Sequence, residues 1–124
     1  MRMQSLVLVA AALSSSLVSA TVCWKTTSAS CAGPQYGTKD DLRIDADNFC
    51  PFVIGNPGGR FVFGFQSAMW YGQFANVSSC LNTFNKLVND CYGTGTTVPN
   101  FNGGNIDDAG GAHLTINFGT CEPL

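Results

Sequence analysis

Cys80-Leu81-Asn82-Thr83-Phe84-Asn85-Lys86-Leu87-Val88-Asn89-Asp90-Cys91 is the stretch on which the reading of the fold turns. Cys80, Leu81, Phe84, Leu87, Val88 and Cys91 recur at helical spacing and form one apolar stripe, so the segment is expected to be an amphipathic helix laid on a core. Asn76 or Ser78 supplies its N-cap, and Gly93 stands where a left-handed C-terminal residue belongs. The two cysteines are eleven residues apart, which is three turns plus about 20°. They share a face but stand about 16 Å apart along the axis. A disulfide needs its Cα atoms within about 7 Å. These two cannot bond to each other, and both must reach out to other elements.

Upstream, Thr38 offers an N-cap hydroxyl and Asp41 comes three residues later, close to a capping box. Leu42, Ala46, Phe49 and Cys50 follow on one helical face, so a first helix is expected over Lys39 to Phe49, stopped by Pro51. Val22 to Thr27 is rich in β-branched and aromatic residues and reads as a first strand, with Ser28 to Gly37 as a loop. After the turn Asn56-Pro57-Gly58-Gly59, the run Arg60 to Ala68 alternates Phe61, Phe63 and Phe65 and reads as the central strand. Burying each of those phenylalanines is worth about 1.5–3 kcal/mol.

Downstream, Gly93 to Gly111 is a connection rich in Gly, Thr and Asn, in which Val98-Pro99 offers the start of a short edge strand. His113-Leu114-Thr115-Ile116-Asn117-Phe118 alternates cleanly and reads as a last strand with Leu114, Ile116 and Phe118 inward. The order strand, helix, strand, helix, strand implies an α+β domain, a two-layer sandwich of helices on an antiparallel or mixed sheet.

The N-terminus reads as a secretory leader: Arg2, an apolar run from Leu6 to Leu13, and the small-residue exit Val18-Ser19-Ala20. The run is too short to span a bilayer, no later segment is longer, and the mature chain is placed at Thr21–Leu124, secreted and extracellular. All six cysteines lie there: Cys23, Cys31, Cys50, Cys80, Cys91 and Cys121. An even count in a short exported chain reads as three disulfides, for which 15 pairings exist. A zinc site would need closely spaced Cys/His pairs, and the single histidine is His113. Without Arg2 the chain keeps five basic and eight acidic residues, a net charge of −3. That balance argues against binding nucleic acid, which needs clustered Lys and Arg, and against a basic membrane-active surface.

Few residues offer catalysis. His113 has no G-x-S-x-G elbow to serve, and Asp40, Asp41, Asp45 and Asp47 read as the solvated face of the first helix rather than a glycosidase pair. Asn105, Asp107 and Asp108 beside Gly103-Gly104 carry calcium-type oxygens, but their spacing fits a polar turn better. No enzyme, cofactor or metal is expected. Asn76-Val77-Ser78 is an N-glycosylation sequon, with unmodified helix capping by Asn76 as its alternative. Trp70, Tyr71 and Phe74 are expected between the central strand and the second helix. There they either cover an end of the core or, exposed, stack on sugars or anchor a protein partner. Lys25, Arg60 and Lys86 are the mature basic residues outside the first helix.

The segment from Phe65-Gln66-Ser67 through Cys80 to Gly93 resembles the second half of the P4-type killer toxins of smut fungi. It shares the paired cysteines on a helix with Leu87-Val88-Asn89 before the second. The tail also fits: Gly104-Asn105-Ile106, Gly110-Gly111, Leu114-Thr115-Ile116-Asn117-Phe118 and a final Cys121. The resemblance covers about half of the mature chain. It implies two helices on one face of a small, mainly antiparallel sheet, with Cys50 bonded to Cys80 and Cys23 to Cys91. Cys31–Cys121 then follows by exclusion. It also implies a small secreted toxin that inhibits growth of fungal or plant cells by binding a cell-surface protein, a calcium channel. The type toxin is basic where this chain is acidic, which leaves Arg60 as the basic candidate ahead of the phenylalanine run. The alternative is a fungal effector or lectin-like module that binds a plant protein or glycan, anchored by Trp70 and Tyr71.

Overall fold

The chain runs β1 (Val22–Trp24), α1 (Lys39–Val53), β2 (Gly58–Phe63), β3 (Gln66–Tyr71), α2 (Val77–Tyr92), β4 (Gly103–Asp107) and β5 (His113–Asn117). These elements come from a computed structural model that describes residues 20–25 and 35–120. The leader up to residue 19, the loop residues 26–34, and Cys31 and Cys121 with their pairing lie outside the described residues. The strands form one antiparallel sheet in the order β1-β4-β5-β3-β2, and both helices lie on one of its faces. The domain is a two-layer α+β sandwich, as expected.

Helix α1 is capped by Thr38, whose Oγ1 accepts from the Asp41 amide at 3.0 Å. It does not stop before Pro51 but continues to Val53. Pro51 removes one intrahelical hydrogen bond. The extra turn buries Val53 and sets Phe52 against Phe61 and Trp70, which offsets that loss. Phe49 sits at the centre of the core, in edge contact with Phe61, Trp70 and Phe74 and tilted on Phe84. Such pairs add about 0.5–1.5 kcal/mol each beyond their area.

The expected central strand is instead a hairpin. The chain reverses at Gly64-Phe65, with Gly64 at φ 61°, a left-handed value that favours glycine. Phe61 and Phe63 pack against the core from β2, while Phe65 sits at the tip, 46 % exposed. An unbroken alternation of phenylalanines hid the turn, because one glycine reverses the chain without disturbing the apolar count. β2 is an edge strand and β5 is the central one. Val98 is exposed and starts no strand. The strand beside β1 is β4, which opens with Gly103-Gly104. Glycine disfavours strands intrinsically, but here close packing requires it. A Cβ on Gly103 would fall 2.1 Å from the Ile116 carbonyl oxygen, and one on Gly104 2.7 Å from the Cys91 sulfur.

Helix α2 begins after Asn76, whose Oδ1 accepts from the Ser79 amide at 2.7 Å. Cys80 is bonded to Cys50 on α1, and Cys91 to Cys23 on β1. The two ends of one helix are thus tied to two different elements. These are two of the pairings that the killer-toxin resemblance implies. The Thr21 hydroxyl donates to Asp90 at 2.6 Å, and the Lys39 ammonium donates to the Gly93 carbonyl at 2.6 Å, which closes the helical layer onto itself and onto β1.

Candidate functional site

Side chains along a strand alternate between the two faces of the sheet. Ala68 and Trp70 of β3, Ile106 of β4, and Leu114 and Ile116 of β5 point toward the helices and are buried. The alternate residues form the other face, which no helix among the described residues covers. Cross-strand register arranges them in rows. One row reads Gly58, Tyr71, His113, Asp107, and the next reads Arg60, Met69, Thr115, Asn105, Val22. A third reads Val62, Ser67, Asn117, Gly103, Trp24. Ser67 and Asn117 are buried and bonded, the amide donating to the Ser67 hydroxyl at 3.0 Å. The first two rows are open to solvent, with Tyr71 66 % and Met69 39 % exposed.

The first row is the most organised part of this surface. The Tyr71 and His113 rings are stacked, with centroids 5.0 Å apart and planes 24° from parallel. His113 Nδ1 lies 2.6 Å from Asp107 Oδ1, so the carboxylate fixes the orientation of the imidazole. Gly58 has no side chain on the far side of Tyr71. The surface therefore joins an aromatic platform to a carboxylate, with the Thr115 hydroxyl, the Asn105 amide and the Arg60 guanidinium in the adjoining row. Flat aromatic area beside directional polar groups suits a sugar ring, which has both apolar and hydroxylated sides.

This corner is built on a rigid support. Asp108 follows Asp107 and points inward, only 4 % exposed. Its carboxylate accepts from the Ser79 hydroxyl at 2.6 Å, the Thr83 hydroxyl at 2.7 Å, the Ala75 amide at 3.0 Å and the Gly110 amide at 2.8 Å. Burial raises its pKa, but the four hydrogen bonds outweigh burial and hold it below the ordinary carboxylate value. One side chain thereby ties the β4–β5 turn to the start of α2 and to the segment after β3.

The other sequence candidates disperse. Trp70 is a correction: it belongs to β3 rather than to a loop and faces the helices, 5 % exposed. Its indole N–H donates to the Asn56 carbonyl at 3.1 Å, so it is core and not a surface anchor. Phe74 is buried beside it. Tyr71 and Arg60 share the open face, Lys25 lies 5.6 Å from the Phe101 ring centroid, and Lys86 pairs with Asp90 at 3.0 Å on α2. Asn76 is exposed, its carbonyl spent on the helix cap. Of the α1 carboxylates, Asp40, Asp41 and Asp47 meet solvent or its margin, whereas Asp45 is half-buried. Burial first, and the charge of Asp41 second, push Asp45 up to about 6. Asp107 and Asp108 diverge to opposite faces and, with Asn105, do not converge on one point. The register neighbours of His113 are Tyr71 and Asp107, neither of them a serine or cysteine.

Three members of the site carry other meanings in the sequence: His113 is a lone histidine without a nucleophile elbow, Asp107 one of the oxygens of a polar turn, and Gly58 a turn glycine. The signal that joins them is the register of β2, β3, β4 and β5, which only the folded sheet supplies.

The chain matches the alpha-galactosyl binding lectin family over residues 37–122, which spans α1 through β5 and every residue of the Tyr71 row. It is also 33 % identical over 102 residues to the alpha-galactosyl-binding lectin of Lyophyllum decastes, across 82 % of this chain and 99 % of that lectin. The chain belongs to the alpha-galactosyl binding lectin family.

Proposed function

We propose that this lectin-family chain is a secreted, non-catalytic protein that binds glycans ending in an α-linked galactose, using the open face of its sheet. The observation that carries the reading is the family match from α1 through β5, together with the likeness to a relative whose name states α-galactosyl binding. The open face supports it with an aromatic platform flanked by carboxylate, hydroxyl, amide and guanidinium groups. No helix among the described residues is long and apolar enough to cross a membrane. The partner in this reading is a cell-surface or free glycan of a fungus or plant, which the lectin matches support. Growth inhibition through a calcium channel, implied by the killer-toxin resemblance, draws no support from these matches.

The test is a panel of α- and β-galactosides, glucosides and mannosides presented to the oxidised protein secreted from a fungal host. Binding confined to α-galactosyl termini, and competed by methyl α-D-galactopyranoside, is expected. Absence of binding to any α-galactosyl glycan would reject the reading.

A further inference from the structure

We infer that the galactose-stacking subsite is the face of the Tyr71 ring turned away from His113, kept open by Gly58. This rests on the lectin reading above and narrows it to one place. The His113 ring covers one side of Tyr71 at 5.0 Å and is itself held by Asp107 at 2.6 Å. Tyr71 is thus supported from one side and still 66 % exposed. On its other side the register sets Gly58 directly opposite.

The φ of Gly58 does not demand glycine, since it is absent from the residues with positive φ, and the backbone contact a Cβ would meet is tight but not the 2.1 Å clash found at Gly103. It lies in a strand, where glycine is disfavoured. A Cβ there would stand 3.7 Å from the Tyr71 Cβ and 3.0 Å from the Trp70 carbonyl oxygen, so any larger side chain would rise beside the tyrosine ring. What glycine provides at this point is an empty space next to an aromatic face.

That space suits a terminal galactose. Its axial O4 gathers the C3, C4, C5 and C6 hydrogens on one side of the ring, and this apolar patch lies flat on an aromatic face while the hydroxyls project from the rim. Met69 extends the apolar floor, and Arg60, two positions along β2 on the same face, sets a guanidinium at the margin. His113 and Asp107 are positioning residues: they hold the platform and do not themselves cover its free side.

The experiment uses methyl α-D-galactopyranoside as the probe, titrated calorimetrically and followed by saturation-transfer NMR. Tyr71→Ala is expected to weaken binding about tenfold or more, and Gly58→Val to weaken it comparably although Tyr71 remains. Val62→Ala, elsewhere on the face, is expected to stay within about threefold of the parent, and Tyr71→Phe, which keeps the ring, to lose less than Tyr71→Ala. Circular dichroism and melting establish that each variant is folded. Gly58→Ser replaces Gly58→Val if the larger side chain impairs folding. If the parent binds the galactoside and Tyr71→Ala and Gly58→Val bind it equally well, the subsite is overturned and the lectin reading stands. If the parent binds neither this probe nor any α-galactosyl glycan, both fall together.

Discussion

The two faces of the sheet are made by the same strands, often by adjacent residues, and yet they obey different rules. Trp70 and Tyr71 are neighbours in β3. One is 5 % exposed and locked into an aromatic cluster around Phe49, and the other is 66 % exposed and stacked on His113. The helix-facing side is selected by volume and hydrophobicity, since anything polar or ill-fitting there is costly. The open side carries no such constraint. Its Tyr71, His113, Asp107, Thr115, Asn105 and Arg60 reach solvent, so their polar groups impose no burial cost on the core. The buried apolar core therefore lies on one face, while the exposed polar and aromatic rows lie on the other, beside the buried Ser67–Asn117 pair.

The sharpest way to break this comparison is to substitute neighbours on the central strand. Leu114 is fully buried, and Leu114→Ala is expected to cost about 2–5 kcal/mol by lost transfer energy and cavity formation. Thr115→Ala, one residue along, is expected to stay within about 0.5 kcal/mol. Urea denaturation of both variants checks the pair. Similar losses at the two positions would mean that the open face is in fact part of the core.

A second prediction concerns the residue at which the two faces meet. Asp108 holds the β4–β5 turn through hydrogen bonds from Ser79, Thr83, Ala75 and Gly110. Asp108→Ala leaves four donors without their acceptor and is expected to cost about 2–4 kcal/mol. It should also weaken galactoside binding, because Asp107 and His113 lose their support, whereas Leu114→Ala should lower stability without that effect. The sign with pH follows from the depressed carboxyl. Its contribution is fully present above the ordinary value of 3.8 and is lost as pH falls through the lower folded-state value. Parent stability should therefore drop in strong acid, and the variant should lack that part of the drop. Acid titration followed by circular dichroism measures it.

This division also explains what was legible in the sequence. Both helices could be placed from apolar spacing and caps, and the eleven-residue gap between Cys80 and Cys91 correctly sent them to different partners. All of that is information about the buried side. The hairpin at Gly64 was missed because alternation continues across it, and β4 because packing against Trp24, Ile116 and Cys91 overrides the poor strand propensity of Gly103-Gly104. The site was visible only in fragments. Tyr71 was singled out, but paired with Trp70, whose side chain turns to the opposite face as strand geometry requires. His113 and Asp107 each looked ordinary alone. Their meaning comes from cross-strand register, a long-range property with no local sequence signal.

The smallest effect probes a carboxylate that breaks the rule from the other side. Asp107, on the open face, has a partner in His113, whereas Asp45 is half-buried on α1 beside the like charge of Asp41. Its pKa is pushed up to about 6, so between roughly 4 and 6 the folded chain binds a proton that the unfolded chain releases. Stability therefore rises as pH falls through that window, and at neutral pH the ionised carboxylate is a burden. Asp45→Asn removes the charge and should stabilise the domain at pH 7. Solvent reaches part of this side chain, so screening reduces the gain to about 0.5–1 kcal/mol. As pH falls below the ordinary value of 3.8, the carboxyl becomes protonated in both states and the difference should shrink toward zero. Melting temperatures of parent and variant at pH 3.5 and pH 7 decide it: a gap that is equal at both values would show that the amide acts through packing and not through the charge.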